Sequence, residues 1–131
     1  LHQGCVQTLQ GVPFELMQKQ QTDKLDKLFM LQKLFQQRLI NDGKYPQTVD
    51  GQVGGLCTAI IHEAVELQRL TAWKWWKKPQ PIDYTKAREE LADIWHFVID
   101  LSLVLGMTPE LILEEYHKKN LANHQRQDVG Y

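Results

Sequence analysis

Residues 83–110 read DYTKAREELADIWHFVIDLSLVLGMTPE, and this stretch decides the fold. Asp83 is a good N-cap, its short carboxylate suited to accept from the first free amides of a helix. The apolar residues Leu91, Ile94 and Trp95 follow at three- and four-residue steps, the helical period. Gly106 closes the segment, so a helix is expected from about Tyr84 to Leu105. Thr108-Pro109-Glu110 then restarts the chain as N-cap, N1 and N2 of another helix, running to about Gln125 before a short tail, 126–131.

Upstream, Leu56, Ile60, Val65, Leu67 and Leu70 mark a helix from about Leu56 to Trp76, ended by Pro79 and Pro81. Residues 42–55 hold Gly43, Pro46, Gly51, Gly54 and Gly55 and predict a loop of a length that is often functional. Before it, Leu25, Leu28, Phe29, Leu31, Leu34, Phe35 and Leu39 predict a helix from about Thr22 to Asn41, capped by Thr22 or Asp23 and stopped at Asn41-Asp42-Gly43. Phe14–Gln21 is a candidate for a short extra helix. No window alternates as a strand does. The expectation is a single all-α domain over residues 1–131, its four-helix core at about 22–126. The wide apolar faces of the first and third helices suggest that a dimer completes the core.

Two acidic pairs stand out. Glu63-Ala64-Val65-Glu66 lies on the second helix and Glu90-Leu91-Ala92-Asp93 on the third. Spacing of i,i+3 puts both carboxylates of a pair on one helical face. Their neighbours are apolar: Ile60, Ile61, Val65 and Leu67 beside one pair, Leu91, Ile94 and Trp95 beside the other. Carboxylates turned into a bundle are costly unless a cation neutralises them. Four hard oxygen ligands suit Mg²⁺ or Mn²⁺, and Mg²⁺ takes its remaining ligands from water and phosphates, so a phosphorylated substrate is expected. A single such pair would more simply be a solvated helix face.

Lys119, Asn123 and Arg126 form a polar stripe at the end of the fourth helix, and arginine grips phosphate bidentately. Tyr131, just past Gly130, could swing over a phosphorylated ligand held there. The bland alternative is that these cations complement the helix dipole. Trp73, Trp75 and Trp76 with Lys74, Lys77 and Lys78 have a composition that could stack bases, although packing is the simpler use.

Glu-x-x-Glu, a spacer of 23 residues and Glu-x-x-Asp together resemble the signature of the all-α NTP pyrophosphohydrolases, the MazG-like proteins and dimeric dUTPases. The segment Lys119-Asn120-Leu121-Ala122-Asn123-His124-Gln125-Arg126-Gln127-Asp128-Val129-Gly130-Tyr131 looks like the closing phosphate-binding motif of the dimeric dUTPases. Leu31-Gln32 and Trp73–Lys77 are similar to two further motifs of that family, and the resemblance covers roughly residues 25–131. It implies hydrolysis of dUTP to dUMP and pyrophosphate. Glu63, Glu66, Glu90 and Asp93 would hold Mg²⁺, with Glu63 and Glu66 also catalytic. Gln32 and Trp76 would shape the uracil pocket, and Lys119, Asn123, Arg126 and Tyr131 the phosphate site, in a homodimer. Many relatives carry Glu-Glu-x-x-Glu where this chain has His62-Glu63-x-x-Glu66, which leaves the role of position 62 open. His62, His96 and Asp100 are candidate supporting groups around metal or substrate. A diphosphatase for other or several (d)NTPs, and a helical interaction module without chemistry, are the alternatives.

Composition excludes more than it identifies. The chain has 131 residues, 43% hydrophobic and 24% charged, ordinary for one folded domain. A net charge of −1 argues against a general nucleic-acid binder. No apolar run approaches the ~20 residues that span a bilayer, and no leader pattern opens the sequence. Cys5 and Cys57 lack a CxxC spacing, as befits a reducing, cytoplasmic setting; Cys57 has no local His or Asp partner and is read as packing.

Overall fold

The computed structural model describes residues 8–9, 12–13 and 23–131. Strands β1 (Thr8–Leu9) and β2 (Val12–Pro13) pair antiparallel, with Thr8 opposite Pro13 and Leu9 opposite Val12. Sequence periodicity could not foresee so short a ladder. Helices α1 (Lys24–Asn41), α2 (Val49–Arg69), α3 (Tyr84–Val104) and α4 (Pro109–Asp128) follow. The architecture is the expected all-α one. The helix expected at Phe14–Gln21 and any pairing of Cys5 lie outside the described residues; Cys57 is exposed.

Each helix begins where a side chain satisfies its free amides. In α1, the Asp23 carboxylate accepts from the Asp26 amide at 2.8 Å, and the Asp26 carboxylate accepts from the Asp23 amide at 3.3 Å. Asp83 accepts from the Lys86 amide at 3.2 Å in α3, and Thr108 from the Leu111 amide at 3.1 Å in α4. Gly106, at φ 70°, adopts the left-handed conformation that ends α3, and α4 leaves at 102° to it.

The second helix departs from expectation at both ends. It starts seven residues early because Thr48 caps it, its hydroxyl oxygen accepting from the Gly51 amide at 3.0 Å. Gly51, Gly54 and Gly55 therefore lie inside α2, each weakening it by roughly 0.5–1 kcal/mol relative to alanine. That cost is why they read as a loop; the cap and the packing on α3 outweigh it. The helix ends at Arg69, not Trp76. Tight bonds close it, from the Leu70 amide to the Leu67 carbonyl at 3.1 Å and from the Thr71 amide to the Gln68 carbonyl at 2.9 Å. The Thr71 hydroxyl also donates to the Gln68 carbonyl at 2.6 Å. Pro79 and Pro81 only bar a helix further on. The tryptophans thus sit in the α2–α3 connection, where Trp76 meets Trp73 and Trp75 edge to face at 5.9 and 5.4 Å.

The main packing is α2 against α3, with α1 laid on α3 and α4 docked chiefly on α1. The buried apolar side chains are Phe29, Leu56 and Ile99, joined by the polar Gln32, Asp100 and Ser102. No residue of α4 is buried. Asp100 accepts from Gln36 Nε2 at 2.6 Å and from the Tyr45 hydroxyl at 3.0 Å, which ties α3, α1 and the α1–α2 loop together. Burial, then the bond to the Asp100 carboxylate, pushes the Tyr45 phenol up to about 12, so it stays a neutral donor. Among the described residues no single helix is long and apolar enough to cross a membrane.

Candidate active site

The α2–α3 pairing sets the two acidic pairs against each other. Glu63, Glu90 and Asp93 each place a carboxylate oxygen within 4.8 Å of the others. Glu66, one turn along α2, is exposed and stands beside this trio rather than within it. Oε2 of Glu63 and Oε2 of Glu90 are shut off from solvent with no hydrogen-bond partner among the described residues. The ion pairs among those residues, Arg38–Asp42 and Lys118–Glu115, do not involve the cluster. Negative charge is thus concentrated where no ion pair among the described residues answers it.

The electrostatic consequence is visible on Glu63. Burial of its carboxyl, followed by the adjoining Glu66, Glu90 and Asp93, pushes it up to about 7 from 4.5. Glu90 is raised too, first by burial; the adjoining Glu63 carboxyl opposes the shift, while Glu66 and Asp93 add to it.

A pH dependence follows. The folded state keeps a proton on Glu63 between pH 4.5 and about 7 that the unfolded chain has released. The associated stability is present below pH 4.5 and lost as pH rises through about 7. A divalent cation held by the same oxygens would compete with that proton, so its affinity would rise over that window. We expect the rise in melting temperature caused by Mg²⁺ to be larger at pH 8 than at pH 5.5, compared with EDTA-treated protein. Equal shifts at the two pH values would contradict this charge distribution.

The remaining residues are dispersed over the four helices and the α2–α3 connection. Gln32 is buried on α1 and lines a cavity of about 680 Å³ between α1 and α3. His96, exposed on α3, shares that cavity, whose other walls are apolar. Trp76 is not among its lining residues and is 58% exposed in the α2–α3 connection, so a single chain does not bring Gln32 and Trp76 together. Lys119, Asn123 and Arg126 are exposed on α4. There Gly130 turns the chain at φ 80°, and the Tyr131 amide donates to the Arg126 carbonyl at 2.9 Å. That turn lays the Tyr131 ring 5.6 Å from the Arg126 guanidinium. His62 is exposed on α2. Asp100 is engaged by Gln36 and Tyr45. Those two partners went unnoticed in the sequence: Gln36 reads as one more surface glutamine, and Tyr45 lies in a loop without periodicity.

Four helices whose second and third carry facing Glu-x-x-Glu and Glu-x-x-Asp pairs form an all-α core of the NTP pyrophosphohydrolase type. The sequence profile of the family described as dUTPase matches residues 24–109, and the chain belongs to that family. Over 78 residues it is 36% identical to the dCTP pyrophosphatase of Enterobacteria phage T4, a match covering 50% of this chain and 46% of that protein. It is 35% identical over 78 residues to the dCTP pyrophosphatase of Enterobacteria phage LZ5, covering 50% and 45%. The chain therefore spans about half the length of these curated relatives. No solved structure matches significantly. The profile match includes Gln32, the four carboxylates and Trp76, and ends before Lys119.

Proposed function

We propose that this chain hydrolyses dUTP to dUMP and pyrophosphate with Mg²⁺, for which Mn²⁺ can substitute, and so removes dUTP from the nucleotide pool. The observation that carries this reading is the pair of buried oxygens on Glu63 and Glu90 without hydrogen-bond partners among the described residues, within an acidic cluster that no ion pair among those residues neutralises. All the donors are hard oxygens, the preference of Mg²⁺. Glu63, Glu90 and Asp93 would hold it, with Glu66 at the open edge. When bound, Mg²⁺ offsets phosphate charge and lowers the pKa of water.

The chain's own groups do the rest. An exposed carboxylate oxygen of Glu66 is available to accept the proton of the attacking water as the bond between the α- and β-phosphates breaks. Arg126 and Lys119 supply charge-assisted donors to the phosphates, and Asn123 a neutral one. Gln32 presents an amide to the base in the α1–α3 cavity. The half-exposed apolar side chains Leu28, Phe35 and Trp95 that line that cavity, and the uncovered Leu113 and Tyr116 of α4, support a homodimer that closes over it.

A second reading, dCTP in place of dUTP, is favoured by the names of the two phage relatives. Separation of the products of dUTP by ion exchange tests the proposal. Equimolar dUMP and pyrophosphate, abolished by EDTA, are expected; absence of Mg²⁺-dependent turnover, as in an interaction module, would overturn it. Arg126→Ala is expected to lower kcat/KM about 10- to 150-fold, the equivalent of losing a hydrogen bond between charged groups. An unchanged value would remove the α4 stripe from the site.

A further inference from the structure

We propose that the α2–α3 connection binds single-stranded nucleic acid, a role that does not depend on which nucleotide the chain hydrolyses. The Lys77 amide donates to the Lys74 carbonyl at 3.0 Å and closes a four-residue turn, Lys74-Trp75-Trp76-Lys77. Turn tips ordinarily carry Gly, Pro, Asn, Asp or Ser, whose backbone or side chain favours the turn. Here the two central residues are tryptophans, Trp75 86% and Trp76 58% exposed. Packing within the chain, the simpler use expected from the sequence, is therefore not what they do. Trp76 is not among the residues lining the Gln32 cavity either. Clustered aromatic surface left open to solvent marks an interaction site.

The charge around these rings selects the partner. Arg69, Lys74, Lys77 and Lys78 line a cleft of about 240 Å³ beside Trp73. None of the four belongs to an ion pair among the described residues, and no Asp or Glu occurs from residue 67 to residue 82. The net charge of −1, which argues against a general nucleic-acid binder, therefore hides a local surplus of positive charge. A second copy of the chain meeting this surface across a twofold axis would set the same cations against one another. A polyanion meets no such repulsion. The Lys74 ammonium already lies 5.6 Å from the Trp73 ring centroid, so cation and aromatic stand side by side. Trp76 stands at 84° to Trp73 and 85° to Trp75, which braces the turn and leaves the Trp75 indole open. Phosphates pair with lysine and arginine, and bases stack on indole whatever their identity, because every base has a π-face. A duplex hides those faces and a single strand offers them.

Fluorescence anisotropy of a labelled oligothymidylate of about 15 nucleotides, titrated with the protein in EDTA, tests this. Saturable binding is expected, weakening about 20- to 50-fold between about 50 and 200 mM salt, as three or four phosphate contacts require. Trp75→Ala should weaken binding about 5- to 150-fold with the melting temperature little changed, and Trp75→Phe, which keeps a smaller ring, should lose less. Lys77→Gln and Lys78→Gln together should lower the slope of log affinity against log salt by about 1.4. Absence of saturable binding at the lower salt would overturn the inference. So would binding that neither the Trp75 nor the lysine variants alter, which would put the strand elsewhere on the chain. Trp75-dependent binding to phosphatidylserine vesicles, or a Trp75-dependent dimer, with no binding of the oligonucleotide would overturn it in favour of those partners. Each result leaves the diphosphatase reading where it stands, since neither divalent metal nor triphosphate takes part.

Discussion

Glu63→Gln should lower dUTP hydrolysis about a thousandfold and, in the same preparation, raise the melting temperature of the metal-free protein. The two effects have one cause. In the wild type, Oε2 of Glu63 is buried without a hydrogen-bond partner among the described residues, and carboxylate oxygens of Glu63, Glu90 and Asp93 lie within 4.8 Å of one another. At pH 8, above the value of about 7 to which its surroundings raise it, Glu63 is ionised and adds to that repulsion. Glutamine removes the charge, and its amide can donate to the orphaned oxygen of Glu90, so the metal-free fold gains. The loss of rate reflects the several kcal/mol that a bound cation contributes to phosphate chemistry, each tenfold costing about 1.4 kcal/mol. Thermal melts in EDTA, paired with kinetics in Mg²⁺, separate this from a structural role. A variant that loses rate and stability together would contradict the assignment.

Asp100→Ala should cost about 3 kcal/mol of stability, roughly 10 °C in melting temperature for a chain of this size. Asp100 is 3% exposed and accepts from two donors on separate elements. Its removal takes the acceptor from one Gln36 N–H and from the Tyr45 hydroxyl proton, leaving only the Gln36–Tyr45 bond, and the α1–α2 loop loses its tie to α3. Asp100→Asn keeps an acceptor and is expected to cost about 1 kcal/mol, with kcat/KM little changed. Tyr45→Phe should fall between the two. The alternative, that Asp100 meets substrate, gives the reverse: Asp100→Asn would be stable and inactive.

Local signals carried much of the fold. Asp83, Gly106 and Thr108-Pro109 place the α3–α4 corner within a residue because caps depend on a few neighbouring groups. The acidic cluster was legible for the same reason: i,i+3 spacing fixes a face, and two such faces on consecutive helices tend to meet. The limits of α2 were not legible. Helical glycines look like a loop until the Thr48 cap and the packing against α3 are known, and prolines state where a helix cannot go, not where it stops. Gln36, Tyr45 and Asp100 meet across 55 and 64 positions of sequence, beyond the reach of periodicity. The difference between Gln32 and Gln36 is likewise tertiary, since the sequence offers two glutamines one turn apart and only the fold fixes one of them. The placement of Trp76 outside the Gln32 cavity follows from the early end of α2, which moves the tryptophans onto the connection.

The central claim is that the carboxylates between α2 and α3 form a divalent-cation site. Titration of the protein with Mn²⁺, followed by the loss of the free-ion electron paramagnetic resonance signal, tests it without reference to substrate. Saturable binding is predicted for the wild type at pH 8, displaced by Mg²⁺, abolished in Glu90→Gln and Asp93→Asn, and retained in Arg126→Ala. Absence of saturable binding, or binding that persists when Glu90 and Asp93 are both neutralised, would contradict it.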